Sequence, residues 1–548
     1  MRNHPAALPF LFLTEMWERF GYYLMIGIFT LYMTDTKDGG LGFERSVSAD
    51  VYGTFIALVY LTPFLGGLLA DRLLGFRKSI IIGGILMGIG YLLLAIPHNL
   101  NTFYLALGVM ILGNGFFKPN ISTLLGNLYN EDRYRALKDD GYSIFYMGIN
   151  VGALICNFVA AYMRNTYGWG YAFAAAGVGM FIGVIVFMMG MKHYAHADVK
   201  KETKDAGGAG LGAMLSSVLI PAIVTGIAAW NIPGNIFGSD STDAFLFGAM
   251  PVVAFYIWIL MKAAPDEKPR IRALLAVYAV VIIFWAVFKQ NGTALTTWAE
   301  FYTERSMPST LEATAKFMGA TQTVTMEKDT FPVYDSQFRT SKDPATGKRL
   351  MDNASYPPYF QNIPPDQRPP EGTPVKLVST EIFQSVNPFF VIVLTPVLIW
   401  FFSWLRKRKR EPTTPAKIGW GLVISALSTL VSIWGVYACH NGAEKASAWW
   451  VIGTYAVITV GELCLSPMGL SMVSKMAPVR LAGLMMGGWQ LATSLGNKLS
   501  GVLATMWDRY DDKSQFFWVN FILLSVAAVV LFLMLPWLRR IFKDAGVS

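Results

Sequence analysis

The sequence predicts an all-α membrane protein of fourteen spans, and three observations carry that expectation. Hydrophobic residues make up 54% of the 548 residues and charged residues only 15%, against about 25% charged in a soluble domain. Mean hydropathy is +0.42. Apolar runs such as 10–31, 51–74 and 80–96 approach or exceed the roughly 20 residues that cross a bilayer as a helix. Length alone would suit three or four soluble domains of about 150 residues; the apolar runs exclude that.

Runs bounded by charge, Gly and Pro place six spans at 8–33, 50–74, 79–97, 102–127, 141–164 and 169–191. Two more follow at 211–231 and 243–262, then six at 271–301, 380–405, 414–438, 447–474, 481–506 and 516–541. The chain therefore divides into an N-terminal six-helix bundle (1–191), a linker with two additional helices (192–270) and a C-terminal six-helix bundle (271–548). The first span is too long for a cleavable signal peptide and carries Glu15, Glu18 and Arg19 in its interior. The segment 302–379 is polar and rich in Pro, a small appendage or a partly disordered loop inserted between the ninth and tenth spans. Asn353-Ala354-Ser355 fits a glycosylation sequon, a triplet common by chance.

Charge orients the spans. One set of loops holds Arg72, Arg77, Lys78, Arg133, Arg135, Lys138, Lys192, Lys200, Lys201, Lys204, Lys262, Lys268, Arg270, Arg272, the 406–410 run and Lys417. The other holds Lys37, Arg45, Arg164, Lys445, Arg509 and Lys513. The positive-inside rule makes the first set cytoplasmic, with both termini on that side. The formal charge of +9 is then an orientation signal directed at membrane lipid, and nucleic acid is not an expected partner. Cys156, Cys439 and Cys464 lie apart in apolar runs and form neither a disulfide framework nor a metal cluster.

An intramembrane charge costs about 2.5–3.5 kcal/mol on insertion scales, so each one is a functional candidate. Glu15, Glu18, Arg19 and Tyr22 fall at i, i+3, i+4 and i+7 and share one helix face. Glu15 lies roughly 10 Å into its span at 1.5 Å per residue. Two carboxylates beside one Arg there form either a structural ion pair or a pair in which one carboxylate readily takes up a proton. Other isolated polar groups are Lys118, Asn150, Lys289, Gln290, Asn387 and Glu462. Pro119, directly after Lys118, should break its helix, with the freed backbone facing protein or a cavity. Lys498, nearer a span end, reads as snorkelling. Tyr22, Tyr23, Tyr60, Trp285 and Trp489 line a pocket or serve as packing. His4, His98, His193, His196 and His440 all fall at span ends or in loops, so a proton relay must use carboxylates, Tyr and Lys. Walker A, H-E-x-x-H, G-x-S-x-G and clustered Cys/His patterns are absent, which argues against a pump driven by ATP and against an enzyme. Scattered single charges on different helices fit a solute-sized cavity better than a pore.

The run Glu15-Met16-Trp17-Glu18-Arg19-Phe20-Gly21-Tyr22-Tyr23 resembles the E-x-x-E-R-F-x-Y-Y signature of the proton-dependent oligopeptide transporter family. Val59-Tyr60-Leu61-Thr62-Pro63, Phe117-Lys118-Pro119-Asn120, the stretch from Asp139 to Asn150, Phe284-Trp285, the stretch from Phe383 to Pro388, and Gly461-Glu462 extend the match over nearly the whole chain apart from 302–379. The run from Gly67 to Lys78 resembles the loop between helices 2 and 3 of the major facilitator superfamily. The resemblance implies a major facilitator fold, two six-helix bundles plus two extra helices, in a bacterial cytoplasmic membrane. It implies a monomer without cofactor that imports di- and tripeptides by alternating access, with the proton as coupling ion. Glu15, Glu18 and Arg19 match proton-coupling positions. Glu462 matches the acceptor of the peptide amino terminus and Lys118 faces its carboxylate. Tyr22, Tyr23, Tyr60, Asn150 and Asn387 match backbone-contacting positions, Trp285 and Trp489 match pocket walls, and Arg45 and Glu300 match an outer-gate pair.

The chain departs from that pattern at four places. Ile26 stands where many members have Arg, and Phe288-Lys289 where they have Glu; both halves of a usual pair are lost together. Lys289, with Gln290 beside it, either joins the substrate site and supplies the missing cation or points to the outer mouth. Gly53 stands where animal members have His. These changes leave two alternatives open: the same carrier moving another organic anion or amino-acid derivative, and a peptide sensor that does not transport.

Overall fold

The computed structural model describes residues 4–37, 39–63, 66, 74–96, 99–134, 137–198, 215–307, 309–335, 339–344, 349–478 and 481–545. Arg72, His98, Arg135, Lys200, Lys201, Lys204, most of the 67–78 loop motif and the adjoining ends of the second and seventh spans lie outside them, as do the side chains of Lys138 and Asp139. Fourteen principal helices run through the described residues. The first six are α1 (Leu8–Thr34), α2 (Arg45–Leu61), α3 (Phe76–Leu94), α4 (Leu100–Leu128), α5 (Lys138–Tyr167) and α6 (Trp169–Met189). α7 (Ile220–Trp230) and α8 (Asp240–Lys262) form the linker pair. The last six are α9 (Lys268–Phe288), α10 (Val386–Lys407), α11 (Thr414–Ala438), α12 (Ala448–Met476), α13 (Ala482–Thr505) and α14 (Lys513–Asp544).

Ten described helices are long and apolar enough to cross a membrane. The other four have physical reasons to fall short of that measure. α1 spans 27 residues but carries Glu15, Glu18 and Arg19. α13 spans 24 residues diluted by Asn497, Lys498 and several Ser and Thr. α2 and α7 are described over 17 and 11 residues, each next to residues outside the described set. α4 continues through Pro119 rather than breaking there. Asn120 donates its side-chain amide to the Phe116 carbonyl at 2.6 Å, which supplies a partner next to the missing proline N–H.

The first six helices bury one apolar core, in which α1 packs on α5 and α6 and α3 packs on α4. The last six bury a second, in two clusters, with α11 against α12 and α14 and α9 against α13. The helix that begins as α9 changes form near its end. A 3-10 turn at Lys289–Gly292 is followed by Ala294–Thr297 and a π turn at Trp298–Tyr302. The carbonyls this frees are used: Gly292 accepts from Thr30 at 2.9 Å and Asn291 from Gln384 at 2.6 Å.

The segment 302–379 is a small ordered cap over its described residues. β1 (Thr321–Thr325) pairs antiparallel with β4 (Pro374–Val378), and β2 (Asp329–Pro332) pairs with β3 (Met351–Ser355). Met326, Tyr359, Phe360 and Leu377 form its core. The cap marks one end of the bundle, the cap end; the first residues of α1 and the last of α14 mark the other.

α2 crosses from the first half to pack on α13 of the second. The close approach needs glycine on both sides. A side-chain carbon on Gly53 would lie 2.8 Å from the Gly501 Cα, inside contact distance, and small residues are what allow helices to meet this closely in a membrane. One helical turn away, Lys498 is fully buried. It does not snorkel: its Nζ donates to Asp50 at 2.7 Å, Thr54 at 2.6 Å and Ser241 at 2.9 Å. Ser239 also donates to Asp50, at 2.9 Å. One ion pair thus joins α2, α13 and the start of α8. Lys498→Met should destabilise the protein by about 3 kcal/mol, because it leaves the Asp50 carboxylate without its counter-charge. Asp50→Asn combined with Lys498→Met should cost less than the single change, as read by thermal unfolding in detergent.

Candidate functional site

A central cavity of about 240 Å³ lies between the two halves. It is lined from α1 by Glu15, Arg19, Tyr22, Tyr23 and Ile26, and from α2, α4 and α5 by Tyr60, Lys118 and Asn150. The second half contributes Trp285, Phe288 and Lys289 near the α9 break, Asn387 on α10, Glu462 on α12 and Trp489 on α13. Helical spacing brings these residues together: the polar face of α1 turns away from the apolar core and onto the cavity.

The α1 stripe separates its two carboxylates. Glu18 is fully buried and receives Arg19 through both Nε and Nη2, the latter at 2.5 Å, a bidentate charge-assisted pair. Glu15 sits 3.6 Å from Arg19 Nε and faces the cavity, and its Oε2 is buried without a hydrogen-bond partner among the described residues. Both Glu18 oxygens are thus engaged by Arg19, and Glu15 keeps one oxygen without a hydrogen-bond partner among the described residues.

The remaining charges sit on different walls. Lys118 Nζ lies 3.9 Å from the Tyr60 ring centre, and Lys289 Nζ lies 5.5 Å from the same ring and 5.7 Å from that of Trp285. Lys289 is only 8% exposed, so it belongs to the cavity and not to the outer mouth. Among the described residues neither lysine has a carboxylate at ion-pair distance; aromatic faces stabilise both. On α12, Glu462 accepts from Asn387 at 3.0 Å, and Asn387 also donates to Thr459 at 2.9 Å. The cavity thus carries two lysines, one from each half, near the Tyr60 ring and a held carboxylate on α12, with tyrosine and asparagine groups around them.

The sequence model of the POT family matches residues 77–326 and 376–519. The chain belongs to the POT family. Peptide transporter YePEPT of Yersinia enterocolitica is 29% identical over 560 residues, covering 99% of this chain and 96% of the relative. The di-/tripeptide transporter of Lactococcus lactis subsp. lactis is 28% identical over 552 residues, covering 99% and 97%. A crystal structure of a peptide transporter POT in complex with sulfate superposes with a TM-score of 0.74 at 26% identity, covering 98% of this chain and 96% of that one. The chain is therefore a membrane transporter with the major facilitator architecture and not an enzyme, and residues 327–375 of its cap fall outside the family match.

Two site expectations need correction within this POT-family frame. Gln290 does not line the cavity. It exchanges two hydrogen bonds with Asn520 on α14, at 3.1 and 3.0 Å, because the 3-10 turn after Phe288 rotates it away from Lys289. Arg45 does not pair with Glu300. Its guanidinium stacks 4.5 Å over the Phe301 ring and pairs with Asp508 at 3.3 Å. Arg45 and Glu300 still line one small pocket of about 30 Å³ at the cap end, and the Asp508 pair still joins the two halves.

Sequence reasoning missed several contacts between the halves. Asn157 on α5 donates to Ser385 at 3.0 Å, Ser385 donates to the Leu154 carbonyl at 2.9 Å, and Arg164 pairs with Glu381 at 2.9 Å. Asn157 and Gln384 also line the cavity. Asn157 lies seven residues after Asn150, two helical turns along the same face, which is the signal that would have found it. Gln290→Leu should leave the buried Asn520 amide unpaired and lower stability by about 1–3 kcal/mol without changing substrate KM. Thermal unfolding and initial uptake rates check the two halves of that statement.

Proposed function

We propose that the chain imports di- and tripeptides by alternating access, driven by a proton gradient across a bacterial cytoplasmic membrane. The observation that carries this reading is the placement of charge around the cavity. Glu462, held by Asn387, takes the peptide amino terminus; Lys118 and Lys289 take the carboxylate across the Tyr60 ring. A zwitterion with an amide between its ends needs a fixed anion and a fixed cation set apart, with neutral hydrogen-bonding groups between. Tyr22, Tyr23, Asn150 and the walls of Trp285 and Trp489 fill that role. The names of the relatives, which describe peptide transport, support the same reading.

The loop charges support an orientation in which the cap is outside and both termini are cytoplasmic. Hydrogen bonds between the halves gather toward the cap, so this conformation is one closed to the outside. Glu15 is the proton carrier in this reading: it lines the cavity and its Oε2 has no hydrogen-bond partner among the described residues, whereas both oxygens of Glu18 accept from Arg19. Proton uptake by Glu15 reduces its attraction for Arg19 and lets the α1 stripe respond to substrate.

Uptake into proteoliposomes under an imposed pH gradient tests the function. Accumulation of di- and tripeptides above tetrapeptides is the expected result; binding without accumulation would identify a sensor, and preference for an organic anion over dialanine would identify the other alternative. Glu15→Gln should abolish proton-driven accumulation and spare counterflow exchange, and accumulation against a gradient by that variant would exclude Glu15 as the carrier. Glu462→Gln should weaken dipeptide binding by about 2–5 kcal/mol, the range for removing one side of a buried charge pair, with little effect on N-acetylated peptides. Lys289→Ala should raise KM for peptides with a free carboxylate more than for their amides.

A further inference from the structure

A second chamber, of about 320 Å³, lies between the cap and the gate. Its floor includes Leu31, Thr34, Arg45 and Phe301, four residues that also line the small gate pocket. Its roof is formed largely by the stretch that the family match leaves out, including Phe331, Tyr334, Arg349 and Pro357. The chamber is larger than the central cavity and sits directly above the closed gate.

Its lining holds five cations, Lys37, Arg45, Arg164, Arg305 and Arg349, against two carboxylates, Asp35 and Glu300. Three of the cations have carboxylate partners: Lys37 with Asp329, Arg45 with Asp508 and Arg164 with Glu381. Among the described residues Arg305 and Arg349 have none at ion-pair distance. Arg305 is 4% exposed; its guanidinium lies 5.3 Å over the Tyr359 ring and donates to carbonyl and amide oxygens, the closest being the Val378 carbonyl at 2.8 Å. Arg349 donates to the Phe43 carbonyl at 2.7 Å. Each has a buried Nε–H without a partner among the described residues. Two guanidiniums that line a roofed space without a carboxylate at ion-pair distance among the described residues are the components of a carboxylate site.

We propose that this chamber is an antechamber in which Arg305 and Arg349 hold the carboxylate of an incoming peptide before the gate opens. The proposal rests on the peptide-transport reading above. It gives the cap a task the family core does not perform: concentrating an anionic terminus at the closed gate, where a low-dielectric wall keeps charge attraction strong.

Uptake kinetics of dialanine and of dialanine amide at low and high ionic strength test it. The double variant Arg305→Gln with Arg349→Gln should raise KM for dialanine by about tenfold at low salt, the scale of losing a charged hydrogen bond, with kcat unchanged. High salt should shrink the difference by screening, and the amide should show little change. Arg305→Lys with Arg349→Lys should restore most of the affinity. Arg349→Gln alone, which removes one tie to the chain, should give a smaller rise in KM if the double variant does not fold. An unchanged KM, an equal rise for the amide, or a fall in kcat at constant KM would overturn the antechamber and leave the cap as a clamp. No peptide uptake by the unaltered protein would overturn the transport reading and the antechamber with it.

Discussion

The cost of a charge in hydrocarbon constrains this structure more than any other term. At about 2.5–3.5 kcal/mol for each ionised group at mid-membrane, the charges of Glu15, Glu18, Arg19, Lys118, Lys289 and Glu462 could not persist facing lipid. They persist because the fold turns them inward to one central region and gives them neighbours: Arg19 on Glu18, Glu462 beside Asn387, Lys118 and Lys289 against aromatic rings. The two apolar cores on either side then need only ordinary packing.

Closure at the cap end uses a different principle. Gly53 and Gly501 let α2 and α13 touch through their backbones, and the buried Asp50–Lys498 pair fixes their register. Ser239 and Ser241, at the start of α8, join that pair, so α8 is part of the contact between the halves and not a mere connector. Arg45 adds an ion pair to Asp508 just beyond α13, and Arg164 and Asn157 make a second contact between the halves, from α5 to the turn before α10. Alternating access requires that this seam be breakable. A few polar bonds around a glycine contact can exchange for water when the halves rock, which a continuous apolar interface could not do cheaply.

The fold class was legible because hydropathy and charge asymmetry act over whole spans, where the errors of single residues average out. The helix boundaries of α1 and α11 follow the apolar runs to within a residue. The site was legible in part: a charge inside an apolar run is conspicuous, and Glu15, Lys118, Lys289 and Glu462 all meet the cavity. Direction within a turn was not legible. Gln290 follows Lys289 in sequence, yet the 3-10 turn sends it to Asn520. Partner choice across the bundle was not legible either: Asp508 and Glu300 are both acidic and both far from Arg45 in sequence, and Arg45 pairs with Asp508. Lys498 read as snorkelling because nothing local to it announces Asp50, 448 residues away in sequence.

In the proposed transport cycle Glu462 and the Lys118/Lys289 pair hold opposite ends of one zwitterion. Equilibrium binding to purified protein in detergent tests it directly, with dialanine, N-acetyl-dialanine and dialanine amide compared by calorimetry at constant pH and salt. Free dialanine should bind at least about tenfold more tightly than either blocked form, since each block removes one charge-paired end. Equal affinity for all three would contradict it.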